Sequence, residues 1–550
     1  MEEDTRKLRW GVYAMVIAAV AGSLIGRILA VDSVDRQALQ QMRLAQIPRE
    51  LQKRRAELSR RGLSGEQLEQ QLSQLEAELY RQALICRPFL SANDRSRWCT
   101  VRALVEPEMR IPGKPYAIDR VIQEPNWDTI DMVKHGGHLY SSKPPLLSTL
   151  VAGTYWVLYQ LSGYSLGSHP YLVGRSLLIF WNVLPMVGYL IVIGLLAERF
   201  GTSNWGRTFV VIAAGWGTFL TTFATTLNNH LPAAVCTAAA LFFLTRIYVD
   251  RILTPGTGFW CGLFAALAAA NEMPALGFLA LCAFGVIWSC VKSWREGRSH
   301  GKKGQIAGSD TAEKLPATPA RNTEQSAGEC PSRPWSCLAV FWIPVMVVAV
   351  AYFGTNWIAH GSLRPPYLHR SPTNPEDNWY IFTYERQGRT LQSYWTNPVG
   401  VDRGEPSAAV YAFHVLIGHH GVFSLTPLWL LVPAGLWLWL AEKNQPRLRG
   451  IAATIALISL ACLLFYIFRP QMDRNYGGVT SGFRWSFWMS SLWLTAILPV
   501  ADRLATRRWG RAVALILLTL SALSAAYPTW NPWVHPWIYE WMYHLGGIQN

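Results

Sequence analysis

Long stretches of this chain carry almost no charge, and that restricts its folding more than any other feature. Trp10–Ile28, Ser176–Leu196, Phe209–Leu227, Leu338–Phe353, Ile451–Phe468 and Ala512–Tyr527 are apolar runs. Each is near the length of about 20 residues that an α-helix needs to cross hydrocarbon. Backbone polar groups find no water inside a bilayer, so helices that satisfy their own hydrogen bonds are the economical structure. Charged residues make up only 15% of the chain, against roughly a quarter in a soluble domain. Tryptophan occurs 26 times, often where a run ends, as in the aromatic belts of membrane interfaces.

These runs predict an all-α polytopic membrane protein with about eleven transmembrane helices. The spans are placed at 10–31, 172–196, 208–227, 231–248, 257–271, 274–291, 336–353, 422–441, 450–468, 485–501 and 510–527. The net charge of +15 does not point to nucleic acid, because Lys and Arg sit in short loops between spans. Arg199 and Arg207, Arg246 and Arg251, and Arg503 through Arg511 all fall on one side. The positive-inside rule makes that side cytoplasmic. It sets a multi-pass protein of the plasma (inner) membrane, N-terminus cytoplasmic and C-terminus extracytoplasmic. Residues 1–31 read as a retained first span, since no small-residue cleavage site follows it.

Between the spans lie a large helical extracytoplasmic loop at 32–171, a cytoplasmic linker at 292–335 and a second extracytoplasmic loop at 354–421. Spans fill 172–291, 336–353 and 422–527, and 528–550 is an extracytoplasmic tail. The linker is rich in Gly, Ser, Thr, Pro and charge without periodicity, the composition of a disordered segment. The first loop opens with a predicted helical hairpin at 35–83, broken at Gly62-Leu63-Ser64-Gly65, with Ser64 and Gln67 at capping-box spacing. Residues 144–161 are apolar enough to cross, but a further span would reverse the charge bias. They read as a helix lying at the outer interface. Cys86 and Cys99 are the two cysteines of that loop; a disulfide and two separate thiols are equally compatible with their oxidising side.

Soluble-enzyme signatures are missing: no Rossmann glycine pattern, no Walker loop of correct spacing, no Asp-x-Asp pair and no Cys-x-x-Cys. Span interiors are nearly free of ionisable groups, whereas a transporter places such groups at mid-membrane. Glu272 is the exception, at a break between two short helical segments near the outer face. Polar residues gather on the outer side in four places: Ser91 through Trp98; Trp127 through Leu146; Asn228 through Pro232; and Asn475 through Trp485. Asp131, His135 and His138 have a spacing that puts ligands on one helical face, but Gly136-Gly137 between the histidines makes a poor helix. His419 and His420 either bind a sugar or acceptor or cap the next span. Asp94 is either an N-cap or a functional carboxylate, Lys143 either an interfacial snorkel or an anion contact. His230 either caps or binds.

In order and topological side, these clusters resemble the lipid-dependent GT-C glycosyltransferases, specifically the bacterial branch related to protein O-mannosyltransferases and lipid A aminoarabinose transferases. Asp94-Arg95-Ser96-Arg97-Trp98 is similar to the family's acidic-x-x-Arg-aromatic element. Lys143-Pro144-Pro145-Leu146 is similar to its Lys-Pro-Pro element, and Gly477-Gly478 through Arg484 to a Gly-Gly…Gly-x-Arg element. The chain departs from the pattern at Asn228-Asn229-His230, where the family often has Asp, and at Ser142, where aminoarabinose transferases have an acid. The resemblance implies transfer of a sugar from a polyprenyl-phosphate donor to an extracytoplasmic glycan, lipid or protein acceptor. Membrane lipid surrounds the site and nucleic acid has no part. Asp94 is then the catalytic base, kept ionised by Arg95 or Arg97, and Lys143, Arg484 and Arg97 hold the donor phosphate. Asp131, His135, His138, Tyr140, Asn229, His230, Glu272, His419 and His420 are candidate substrate contacts. No cofactor is required; a divalent metal is compatible with these residues but not supported by them. The alternatives are a transporter of a lipid-linked saccharide or small solute, and a non-catalytic membrane scaffold built on the hairpin.

Overall fold

The computed structural model describes residues 2–31, 36–84, 87–306 and 334–547. Among them, 7 helices are long and apolar enough to cross a membrane: Glu3–Leu29, Pro170–Phe200, His230–Tyr248, Ala275–Glu296, Pro334–His360, Pro446–Ile467 and Arg508–Ala526. The protein is therefore helical and multi-pass, with fewer long spans than the hydropathy pattern predicts.

The other four expected spans are short or broken, each for a local reason. At 208–227 the helix Asn204–Trp216 ends at Gly217. The threonines that follow turn their hydroxyls onto nearby carbonyls, Thr221 to Thr218, Thr225 to Thr222 and Thr226 to Phe223, which competes with the helical ladder. Pro255–Asn271 is continuous but stops one turn before Pro274. The 422–441 segment breaks at Thr426-Pro427 into Val422–Leu425, a 3-10 turn Pro427–Leu430 and Leu431–Ala441. The last, 485–501, begins as 3-10 helix Arg484–Met489 before Ser490–Ala505.

Two antiparallel hairpins qualify the all-α expectation. One pairs Met132–His135 with His138–Ser141, with Met132 opposite Ser141. Its turn is Gly136-Gly137, both left-handed at φ +54° and +82°, which glycine adopts freely. Asp131, His135 and His138 therefore do not share a helical face, and the metal-site spacing among them is lost. The other hairpin pairs Thr383–Arg386 with Arg389–Gln392 in the second loop.

Helices Arg36–Arg60 and Glu66–Leu84 pack side by side in the first loop. Pro145–Ser162 packs on Ala92–Val105 and on Pro334–His360, burying Val151, Ala152 and Tyr155. Its other side leaves Leu150, Trp156 and Leu161 exposed. Ala275–Ile306 runs past the expected start of the linker at 292, and 307–333 lies outside the described residues. Cys86 also lies outside them, and with it the pairing with Cys99. Cys99 itself is a buried free thiol 3.4 Å from the Trp127 carbonyl.

Helix Pro255–Asn271 crosses Pro334–His360 at close range. Gly258 and Gly262, four residues apart, lie against the carbonyls of Cys337 and Phe341. A Cβ at either position would collide with backbone, the close approach that small residues permit between membrane helices. We expect Gly262→Ala to destabilise the protein by about 1–3 kcal/mol, read as a lower melting temperature in detergent. Gly256→Ala, with open space around it, serves as the control; equal melting temperatures for the two variants would refute this packing.

Candidate functional site

Helix Ala92–Val105 is polar in sequence, yet every residue but Ala92 and Leu104 is buried. Ser91 is its N-cap, its hydroxyl accepting from the Asp94 amide at 3.0 Å. That leaves the Asp94 side chain free of capping duty. Asp94 Oδ1 instead accepts from Trp98 Nε1, one helical turn on, at 2.9 Å, and from the Leu227 amide at 2.9 Å. Its Oδ2 is buried without a hydrogen-bond donor. Leu227 is held in reach because Asn182 donates to the carbonyls of Ala224 and Thr226, at 2.7 and 2.9 Å. Asn182 sits in a one-turn π segment, Ile179–Val183, inside a long helix, a distortion common at functional sites.

Burial pushes the Asp94 carboxyl up to about 6, and the Leu227 amide, Arg97, Trp98 and Arg95 only partly offset it. Both arginines act in the expected direction, favouring the ionised form, but burial outweighs them. Arg95 is turned to backbone, donating to Asp128 at 2.6 Å and Pro88 at 3.1 Å.

From Arg97 a continuous hydrogen-bonded chain crosses four segments. Arg97 donates to Asn93 Oδ1 and to Asn229 Oδ1, each at 2.6 Å. Asn229 Nδ2 donates to Glu272 Oε1 at 2.7 Å, and the same oxygen is bonded to His230 Nδ1. His230 Nε2 lies 3.0 Å from Arg484. Arginine only donates, so Nε2 accepts, and the imidazole carries its proton on Nδ1 and gives that bond to Glu272. Asn228 acts locally. Its Oδ1 accepts from the amides of His230 and Leu231 at 2.9 and 3.1 Å, capping helix His230–Tyr248.

Lys143 pairs with Asp131 at 3.0 Å. Asp131 is in turn fixed by Ser96, whose hydroxyl donates to the Asp131 carbonyl at 2.5 Å. Burial lowers Lys143 to about 8, with Asp131 opposing and Arg97 and Arg484 adding to the fall. Arg97 is likewise lowered to about 10, by burial first and then by Arg484. Burial raises Glu272 to about 8, against the pull of Arg484 and Arg97. The structure thus brings Asp94, Arg97, Asp131, Lys143, Asn229, His230, Glu272 and Arg484 into one electrostatic neighbourhood.

The remaining candidates lie elsewhere. Tyr140 and His135 stack on each other at 4.3 Å, and His135 continues to His360 and Trp379. His138 pairs with Asp119 at 3.3 Å. His419 and His420 are buried against Tyr476, with ring centroids 4.9 and 4.8 Å away, and serve as backing for the glycine loop. That loop differs from expectation as well. Gly477 and Gly478 are left-handed at φ +98° and +81°, and a Cβ on Gly477 would stand 2.9 Å from Arg484 Nε. The close approach is to the chain's own arginine, whose Nε donates to the Gly477 carbonyl at 3.0 Å. Arg484 also lies over the ring of Trp533, 4.9 Å from its centroid. Sequence reasoning missed Asn93, Asn182 and Trp533; only the one-turn spacing of Asp94 and Trp98 carries a local signal. Among the described residues no group of three or more His, Cys, Asp and Glu is arranged to hold a metal.

No protein-family model and no curated protein matches the sequence. Among solved structures, the chain is similar to the oligosaccharyltransferase of Archaeoglobus fulgidus in its apo form, at 13% identity and TM-score 0.32, over 80% of this chain and 51% of that one. It is similar to archaeal oligosaccharyltransferase AglB from the same organism, in complex with an inhibitory peptide and a dolichol-phosphate, at 14% identity and TM-score 0.31, over 80% and 54%. The third is the same organism's enzyme tethered to an acceptor peptide, at 13% identity and TM-score 0.32, over 80% and 54%. This chain spans about half the length of those proteins.

Asp94 binds its proton more tightly when folded than unfolded, so its contribution to stability is present when protonated and lost as pH rises through about 6. Asp94→Asn removes that titration. Relative to the variant, the wild type should lose on the order of 3 kcal/mol between about pH 4 and pH 7. Melting temperatures of both proteins across that range check it; a difference independent of pH would contradict a buried, raised carboxyl.

Proposed function

We propose that this protein is a membrane glycosyltransferase that moves a sugar from a polyprenyl-phosphate donor to an acceptor on the extracytoplasmic side, by a single inverting displacement. The observation that carries this reading is a fully buried carboxylate, Asp94, with one oxygen lacking a protein donor, beside Arg97, whose charge in turn is felt by two cations from separate segments, Lys143 and Arg484. A hydroxyl is a poor nucleophile until its proton is drawn off. Asp94 Oδ2 takes the acceptor's proton as the acceptor oxygen attacks the anomeric carbon. The bond from that carbon to the phosphate oxygen breaks, and the phosphate leaves with the electron pair. Lys143 and Arg484 stabilise its growing charge, the arginine able to grip two oxygens and the lysine acting as a point charge. Arg97 anchors Asn229 and Glu272 and adds to the positive field. A lipid-borne donor arrives from within the bilayer, so no nucleotide-binding domain is needed. In this orientation 32–171 and 354–421 are outside and the basic loops inside; labelling of Arg447→Cys by an impermeant reagent in intact cells would invert the topology.

The base must be ionised and the lysine protonated. Turnover should therefore rise through about pH 6 and fall through about pH 8. Asp94→Asn should lower turnover by roughly 10²–10⁴-fold with equal protein in the membrane. Lys143→Arg should move the alkaline limb upward, because arginine keeps its charge; this separates Lys143 from Glu272 as its source. Near-normal transfer by Asp94→Asn, with loss in Asp131→Asn, would assign the base to Asp131 instead.

A further inference from the structure

A second concentration of charge lies at the opposite end of the helices. His230 begins and Arg246 nearly ends helix His230–Tyr248; the 16 positions between them make a rise of about 24 Å. Around Arg246 is a cavity of about 450 Å³, reached also by the start of the first helix, the end of Pro170–Phe200 and the start of Asn204–Trp216. Its lining has five arginines against two carboxylates, with Leu195 and Phe242 as apolar wall.

Both carboxylates are already engaged. Glu198 takes two bonds from Arg9, at 2.8 and 2.6 Å, and one from the Tyr13 hydroxyl at 2.8 Å. Asp250 is gripped by both terminal nitrogens of Arg199. Three arginines remain. Among the described residues, Arg6, Arg207 and Arg246 have no carboxylate within ion-pair distance; Arg207 uses only its Nε, on the Gly201 carbonyl at 3.0 Å. Basic residues that merely set orientation need only lie in loops. Here they stand around a walled cavity, and its Arg9–Glu198 wall is itself about nine-tenths buried.

We propose that this cavity is a binding site for a phosphate-bearing anion, with Arg6, Arg207 and Arg246 as its ligands. Three unpaired guanidinium groups match the several oxygens of a phosphate, each able to give two parallel bonds. Basic pockets between membrane helices suit lipid headgroups of this kind, and the apolar wall of Leu195 and Phe242 suits the acyl side of such a lipid. The site is separate from Asp94 and does not depend on transfer chemistry.

The test uses the full-length protein in neutral detergent, titrated with short-chain phosphatidylglycerol, with inorganic phosphate and with short-chain phosphatidylcholine, and read by melting temperature. Saturable stabilisation by phosphatidylglycerol but not by phosphate identifies a lipid headgroup as the source; stabilisation by inorganic phosphate as well identifies the phosphate alone as sufficient. The Arg207→Gln, Arg246→Gln double variant should weaken half-saturation by about ten-fold or more. The Arg508→Gln, Arg511→Gln double variant, with the same change of net charge, should leave it unchanged. If the first double variant does not fold, Arg246→Gln alone must weaken half-saturation by at least about three-fold. The site is refuted if neither anion gives saturable stabilisation, if phosphatidylcholine does as well as phosphatidylglycerol, or if the control loses as much as the cavity variants.

Discussion

One carboxyl group, that of Glu272, holds one end of the helical assembly together. It is 5% exposed, at the end of Pro255–Asn271 where the chain breaks before Pro274. A buried carboxyl without partners is costly, and Glu272 is satisfied from two directions, by Asn229 and by His230. Behind Asn229 stands Arg97 from the first large loop; behind His230 stands Arg484 from the other end of the chain. Three parts of the sequence are thus tied by one oxygen atom. The neutral amide and imidazole between Glu272 and the arginines matter, because direct ion pairing would spend the positive charge of Arg97 and Arg484.

The helix bearing Asp94 and Arg97 rests on a second buried network. Arg102, 1% exposed, donates to Glu106 through Nε at 2.8 Å and through a terminal nitrogen at 2.6 Å, and reaches Glu124 at 2.5 Å. Glu106 also accepts from the Tyr155 hydroxyl at 2.8 Å, on helix Pro145–Ser162, and from the Gly167 amide at 3.2 Å. Removing one member of such a set leaves an uncompensated charge, which is far more destabilising than never having had the pair. The network explains how a polar helix is buried, and why its Asp94 end keeps a fixed position.

Much of this is readable from the residues. The seven long helices follow from length and apolarity, which the bilayer converts directly into structure. The four shortened ones require knowing what Thr, Pro and Gly do locally: the threonine run at 218–226 is apolar enough by composition, yet its hydroxyls take the carbonyls a helix needs. Asp94, Lys143, His230, Glu272 and Arg484 stand out as charge and polarity where little is expected. Their grouping depends on which helix ends meet, and no local pattern encodes that. The Leu227 amide is invisible in sequence, since every residue but proline has one. The two glycines at 477–478 are recognisable as a site of close approach, but what approaches them is an arginine seven positions on, not a ligand.

The contact between Arg484 and Trp533 sets an order of events during synthesis. A ribosome that has released residues 1–527 has made the seven long apolar helices of the described residues, but the ring beneath Arg484 is still unmade. So are the Pro532 carbonyl that accepts from the Ser481 amide at 3.0 Å and Tyr539, which packs against His419. The surroundings of Arg484 are completed by a short stretch made after all of those helices. A chain that stalls between these points would carry those helices and still lack the ring on which Arg484 rests.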